Sequence, residues 1–330
     1  MPRFACCLLL LTTVTPAAVW GQFDNPGTTT SAPLIKAGGS AAPKLEQPAV
    51  QHWKTGVQIR AVGGPCANLT GTFPVPMEWP EQQVKIVNEE TSTHFRAVNY
   101  RTVDGLLKQA VFAVPLINAG EIAALKLTFE VTNYIHVAPT DTSGYVIPKT
   151  VPTAMRKFIG PSPYIDTANI KFKNLAKDAI AGKETAWEQV DALADAIRKK
   201  VQFEHNRNKL KGAVGALTDG KADREDLMSV FIACCRVLKI PTRMVWVPDS
   251  CYAEFYLEND KGEGHWFPAQ LVGEKQIGFL TDRKPILQKG DNIKVPETKD
   301  AQRFVPEFLT GKGKSGGQPE VDFIRRLEGM

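Results

Sequence analysis

The sequence is short of cysteine, of histidine and of net charge. Six cysteines in 330 residues are too few to staple a disulfide-built fold. The five histidines, the cysteines and the acids form no cluster at metal-ligand spacing, so no metal or cofactor is expected. A formal charge of +5, with no dense Lys/Arg block, argues against a nucleic-acid partner. What is left is ordinary globular composition, 43% hydrophobic and 23% charged, in a length that suits about two domains.

The N-terminus alters that arithmetic. Arg3 precedes an apolar core from Phe4 to Val14, and Val19 and Gly21 are small residues three and one positions before a cleavage point at Gln22. Residues 1–21 therefore read as a secretory signal peptide, too short to span a bilayer. Its removal takes Arg3, Cys6 and Cys7, leaving a charge of +4 and four cysteines: Cys66, Cys234, Cys235 and Cys251. No later apolar run is long enough to cross a membrane. The expectation is an exported protein, periplasmic or secreted, with no membrane span. Residues 22–50, rich in Gly, Pro, Ser, Thr and Ala, read as a flexible linker.

Beyond the linker the hydrophobic period is two. In 125–137, Leu125, Leu127, Phe129, Val131, Ile135 and Val137 alternate with polar residues, and similar alternation recurs at 57–61, 83–87 and 110–114. This predicts an antiparallel β-sandwich over 51–145. The period then changes. Trp187, Val190, Leu193, Ala194, Ile197 and Val201 form one helical stripe, and Leu227, Val230, Phe231, Cys234 and Leu238 form another. Asp223 suits the N-cap of that second helix, with Glu225 and Asp226 in its positive first turn. Pro241 stops it, and strands at 242–247, 251–258 and 265–271 follow, the last two joined by the turn 259–264. Residues 301–330 read as a C-terminal extension that packs back in part on the helical domain.

Two motifs invite a sharper reading and do not sustain it. Residues 215–222 come close to a phosphate-binding loop, but they lack a preceding buried strand, and Ala222 stands where a magnesium-holding hydroxyl is needed. Cys234 and Cys235 are adjacent on a helix and point about 100° apart, so they cannot share a tetrahedral metal.

The stretch 215–273 is more informative. It contains Asp223-Arg-Glu-Asp226, then Arg236-Val-Leu-Lys-Ile-Pro-Thr-Arg243, Ser250-Cys-Tyr-Ala-Glu254 and Trp266-Phe-Pro-Ala-Gln270. These segments resemble the transglutaminase-like superfamily, relatives of papain-type cysteine proteases. The resemblance implies an α+β fold: the N-terminal sandwich, then a domain at 146–300 with a central helix packed on an antiparallel sheet. In that family a Cys opens the central helix, where the helix N-terminus favours thiolate. A His on the next strand activates it, and an Asp on the following strand orients the His. In this sequence those positions fall on Arg224, Ser250 and Gln270, so the triad implied by the resemblance is degenerate and no intact catalytic set is expected.

The same alignment makes Asp223, Tyr252, Glu254 and Trp266 candidates to line the cleft with Arg224, Ser250 and Gln270. Strand parity puts Ser250, Tyr252 and Glu254 on one face and Cys251 on the other. A bulge could bring Cys251 round as a replacement nucleophile. Three functions stay open. The first is an inactive relative binding a peptide, protein or cell-envelope partner in the former active-site cleft. The second is a working protease, amidase or transglutaminase built on Cys251. The third is a purely structural module.

Overall fold

A computed structural model describes residues 42–205 and 209–328. The signal peptide and most of the expected linker lie outside these residues. The linker's end does not: β1 spans Lys44–Val62, so strand begins inside the stretch expected to be flexible up to residue 50.

Six strands open the fold: β1, β2 (Cys66–Val75), β3 (Gln82–Thr91), β4 (Ala97–Val103), β5 (Leu107–Ile117) and β6 (Ile122–Val137). The alternation read at 125–137 is realised in β6, where Leu125, Leu127, Phe129 and Val131 are buried. They lie beside Val57 and Ile59 of the neighbouring β1 and face Phe73 and Phe112 of the opposing sheet, in one core. The two inner faces bury their apolar residues against each other, which is what holds a sandwich together.

The helices follow: α1 (Ile170–Ala179) and α2 (Ala186–Lys200), a short strand β7 (Gln202–Phe203), α3 (Gly212–Asp219), β8 (Lys221–Ala222) and α4 (Arg224–Val237). Helix α2 starts on a capping box in which Thr185 and Glu188 satisfy each other's backbone N–H groups. Its predicted stripe is buried from Val190 to Val201 and half-buried at Trp187, and α4 is buried all round from Asp226 to Arg236. The loop-like motif at 215–222 is helix α3 and its cap: Gly220 sits at φ +67°, a left-handed conformation that ends the helix.

Strands β9 (Thr242–Val247), β10 (Ser250–Glu258) and β11 (Gly264–Gln270) form an antiparallel meander under α4, joined by β12 (Gln276–Ile277) and β13 (Gln288–Lys289). Two further strands, β14 (Phe308–Gly313) and β15 (Gln318–Leu327), lie in the C-terminal extension. The segment before these strands packs on the helical domain, through Arg303 on Glu225 and Phe304 on Trp246, but the strands themselves do not. β14 pairs with β2 and β15 pairs with β1, so the extension completes both sheets of the sandwich. The result is a four-stranded sheet, β15-β1-β6-β3, and a nine-stranded sheet, β12-β11-β10-β9-β13-β5-β2-β14 with β4 on β5. The larger sheet runs from the helical region into the sandwich through the Gln288–Leu107 pair, and the two form one compact unit. Among the described residues no helix is long and apolar enough to cross a membrane.

Candidate functional site

The first turn of α4 is held in place from both sides. Asp223, in extended backbone, caps the helix by accepting from the Asp226 N–H at 2.9 Å. Asp226 in turn accepts from the backbone N–H groups of Lys211 and Gly212 at 2.9 and 2.8 Å, which ties the start of α3 to the start of α4. Between them, half-buried Arg224 makes no hydrogen bond or ion pair among the described residues. Glu225 pairs with Arg303, whose guanidinium lies 5.5 Å from the Trp246 ring and 5.8 Å from that of Tyr164. Burial pushes the Glu225 carboxyl up to about 7 against the pull of Arg303, and the charges of Asp223 and Asp226 add to the rise.

Opposite this turn, β9 passes into β10 through Pro248 and Asp249, a two-residue turn with Asp249 at φ +55°. Proline fixes the first turn position, and Asp is among the few residues that tolerate the second. The turn delivers Ser250 to the rim. Arg224 and Ser250 together line an open cleft of about 540 Å³, with Asp223, Trp246, Cys251 and Arg303 also in its wall. Phe203 and His205, rings 4.9 Å apart, contribute another side. Gln270 stays behind the wall. Its amide donates to the Cys251 carbonyl at 3.5 Å and accepts from the Val272 N–H at 3.1 Å, so both of its ends are engaged by backbone.

Cys251 is 3% exposed. Burial raises its thiol well above the ordinary range and the charge of Glu225 adds to this, which Arg224 opposes without reversing. His265 pairs with Leu257, six residues along β10 from Cys251 and so roughly 20 Å away at the strand rise. Its ring rests on Tyr145 and Phe267. Cys66, Cys234, Cys235 and Cys251 are all buried free thiols. Among the described residues no three His, Cys, Asp or Glu side chains are grouped to hold a metal.

Tyr252, Glu254 and Trp266 do not line the cleft; they belong to the opposite face of the sheet. Tyr252 packs with Val245, Val247, Leu280 and Ile286. Glu254, 1% exposed, accepts from Arg243 Nε at 2.7 Å and from Lys289 Nζ at 2.6 Å. Lys289 also pairs with Glu81, and Arg243 lies 4.0 Å over the Trp266 ring. Burial favours protonated Glu254, but Arg243 and Lys289 outweigh it and hold the carboxyl below its usual value. The shared face of Tyr252 and Glu254 was legible; that it turns away from α4 was not. Ser250 meets the cleft only because it is the first residue of the strand.

Residues that sequence reasoning missed reach the cleft from far along the chain. Arg303 and Phe304 arrive on the segment before β14, with Phe304 5.2 Å from Trp246. The short apolar run at 304–309 was their only local signal.

Comparison with known proteins agrees with this architecture. Residues 173–271 match the model of the transglutaminase-like superfamily, so the chain carries a transglutaminase-like region that includes α4 and the β9–β11 meander. The crystal structure of a candidate cysteine protease from Cytophaga hutchinsonii is similar at a TM-score of 0.59 and 15% identity, over 87% of this chain and 93% of that one. At that identity the likeness is one of fold. A candidate protease from Parabacteroides distasonis ATCC 8503 aligns over 66% of this chain and 47% of its own, at 11% identity and a TM-score of 0.27, too low to carry an argument. No curated protein matches the chain.

Proposed function

We propose that this chain is an exported, catalytically silent transglutaminase-like protein that binds a peptide, protein or cell-envelope partner in the cleft beside Arg224. One observation carries the reading: the first residue of α4, where the resemblance calls for a thiolate, is an arginine that faces the cleft without an ionic partner among the described residues. A helix N-terminus favours an anion, and a guanidinium offers five fixed donors for one. An anionic ligand group therefore meets two attractions at the same place. Ser250 supplies no imidazole to activate a nucleophile, and Gln270 supplies no carboxylate to orient one.

The test is incubation of the mature chain with peptide, amide and amine-acceptor substrates, with and without iodoacetamide. No turnover is expected, and no alkylation of the folded protein. Hydrolysis or acyl transfer that disappears in Cys251→Ala would overturn the proposal.

The thiol-enzyme reading has one observation in its favour, since Cys251 and His205 line the same cleft. Burial that keeps the thiol protonated weighs against it. A purely structural role predicts that Arg224→Ala changes no binding at all.

A further inference from the structure

We infer that the cleft is one half of a longer groove, and that the groove takes an extended acidic peptide; the inference rests on the binding reading above and names its ligand class. A second cavity of about 520 Å³ lies where β1 and β15 meet the helical region, walled by Trp53, Thr55, Arg326 and Leu327 among others. It shares Val247, Asp249, Lys284, Phe304 and Arg325 with the cleft beside Arg224, so the two spaces adjoin along a common wall. Each has the size of a small-ligand pocket, which runs to about 300–1,000 Å³. Joined, they exceed one small ligand and suit a polymer laid along the seam between sandwich and helices.

The charges select the polymer. Arg303 and Arg325 are matched by Glu225 and Glu307. Three cations are not matched, and they stand in order along the groove. Arg224 lines only the first stretch, Lys284 the shared middle, and Arg326 only the second. Arg224 and Arg326 have no ion pair among the described residues, and Lys284 reaches only the Pro248 carbonyl, at 3.4 Å. Of the acids, Asp223 is engaged as the helix cap, which leaves Asp249. Carboxylates spaced along a chain fit three successive cations.

Between the cations the walls mix apolar side chains, Trp246, Val247, Leu287 and Phe304, with polar ones such as Thr55, Asp249 and Ser250. The apolar places accept the aliphatic side chains that alternate with the acids of a peptide and that an acidic polysaccharide lacks, which favours a peptide. Trp53, in the wall of the second stretch, has a buried indole N–H with no acceptor among the described residues.

The test is fluorescence anisotropy of the full mature chain with a fluorescein-labelled twelve-residue peptide alternating Glu and Ala. A Lys–Ala peptide is the charge control and polygalacturonate the competing polymer. The Glu peptide is expected to bind, the Lys peptide not. Arg224→Ala, Lys284→Ala and Arg326→Ala should each weaken binding about fivefold, the upper range for an exposed ion pair. A four-residue Glu–Ala peptide should keep its dependence on Arg224 and lose that on Arg326.

Dependence on Arg224 alone would overturn the continuous groove and leave the binding reading standing. Indifference to all three substitutions, absence of binding, equal binding of the Lys peptide, or preference for polygalacturonate would overturn the acidic-peptide assignment. Cleavage of the bound peptide would overturn catalytic silence and leave the groove intact. Arg326 is exposed and Lys284 half-buried, and circular dichroism of each variant confirms folding.

Discussion

Strand β10 separates two sets of charges built from the same residue types. On one face Glu254, Lys289, Glu81 and Arg243 are all but sealed from water, and each has an opposite charge in contact. On the other side Arg224 looks into an open cleft with no ionic or hydrogen-bond partner among the described residues. The sealed set tolerates no vacancy, because a charge left alone in low dielectric is costly. The open set tolerates one, because water solvates it. A free arginine at the rim is therefore inexpensive to keep and available to a ligand, whereas the sealed charges serve the fold.

Substitutions that remove one charge from each set should separate the two roles. The largest effect belongs to Lys289→Met, which leaves Glu81 and Glu254 together without their shared cation. The expected loss is about 3–5 kcal/mol in urea unfolding, and a loss below 1 kcal/mol would show that the sealed set is not a structural requirement.

Glu225 lies between the extremes. Its carboxyl titrates near 7 when folded, against an ordinary value of 4.5. The folded state thus holds the proton more tightly, and stability from this group, full below about 4.5, is lost as pH rises to about 7. Glu225→Gln should remove that slope, with a gain at pH 8 of at most about 3 kcal/mol. Parallel stability–pH curves for the two proteins would refute the assignment.

Asp223→Ala removes a helix cap and should cost about 1 kcal/mol in the same unfolding assay. Arg224→Ala should change stability by less than about 0.5 kcal/mol, as expected of a partly exposed side chain without partners. A larger loss would move Arg224 into the structural set and erase the contrast.

Much of this arrangement was legible because it depends on local periodicity. The stripe on α2, the Asp223 cap and the hairpin at 259–264 each follow from neighbours within a few residues. The ion pairs were not legible. Lys289 and Glu81 are 208 positions apart, and Arg303 and Glu225 are 78 apart. No period or cap links such residues; only sheet order brings them together. The parity of Tyr252 and Glu254 is plain in the sequence, but parity assigns two faces without saying which one the helix covers. The C-terminal strands were missed for a related reason, since an edge strand such as β15, polar on its outer face, carries little hydrophobic signal.

The pairing of β15 with β1 also sets an order of events for a nascent chain. β1 emerges first and gains β6 on one side within the next several dozen residues, but its other edge stays open until residues 318–327 have been made. Contacts of such long sequence separation form late and slowly, and an open strand edge is a template for the wrong neighbour. The groove wall that carries Arg326 is thus made after every other described strand of the fold. A ligand that needs Arg326 could be received in full only by a chain in which β15 has already joined β1.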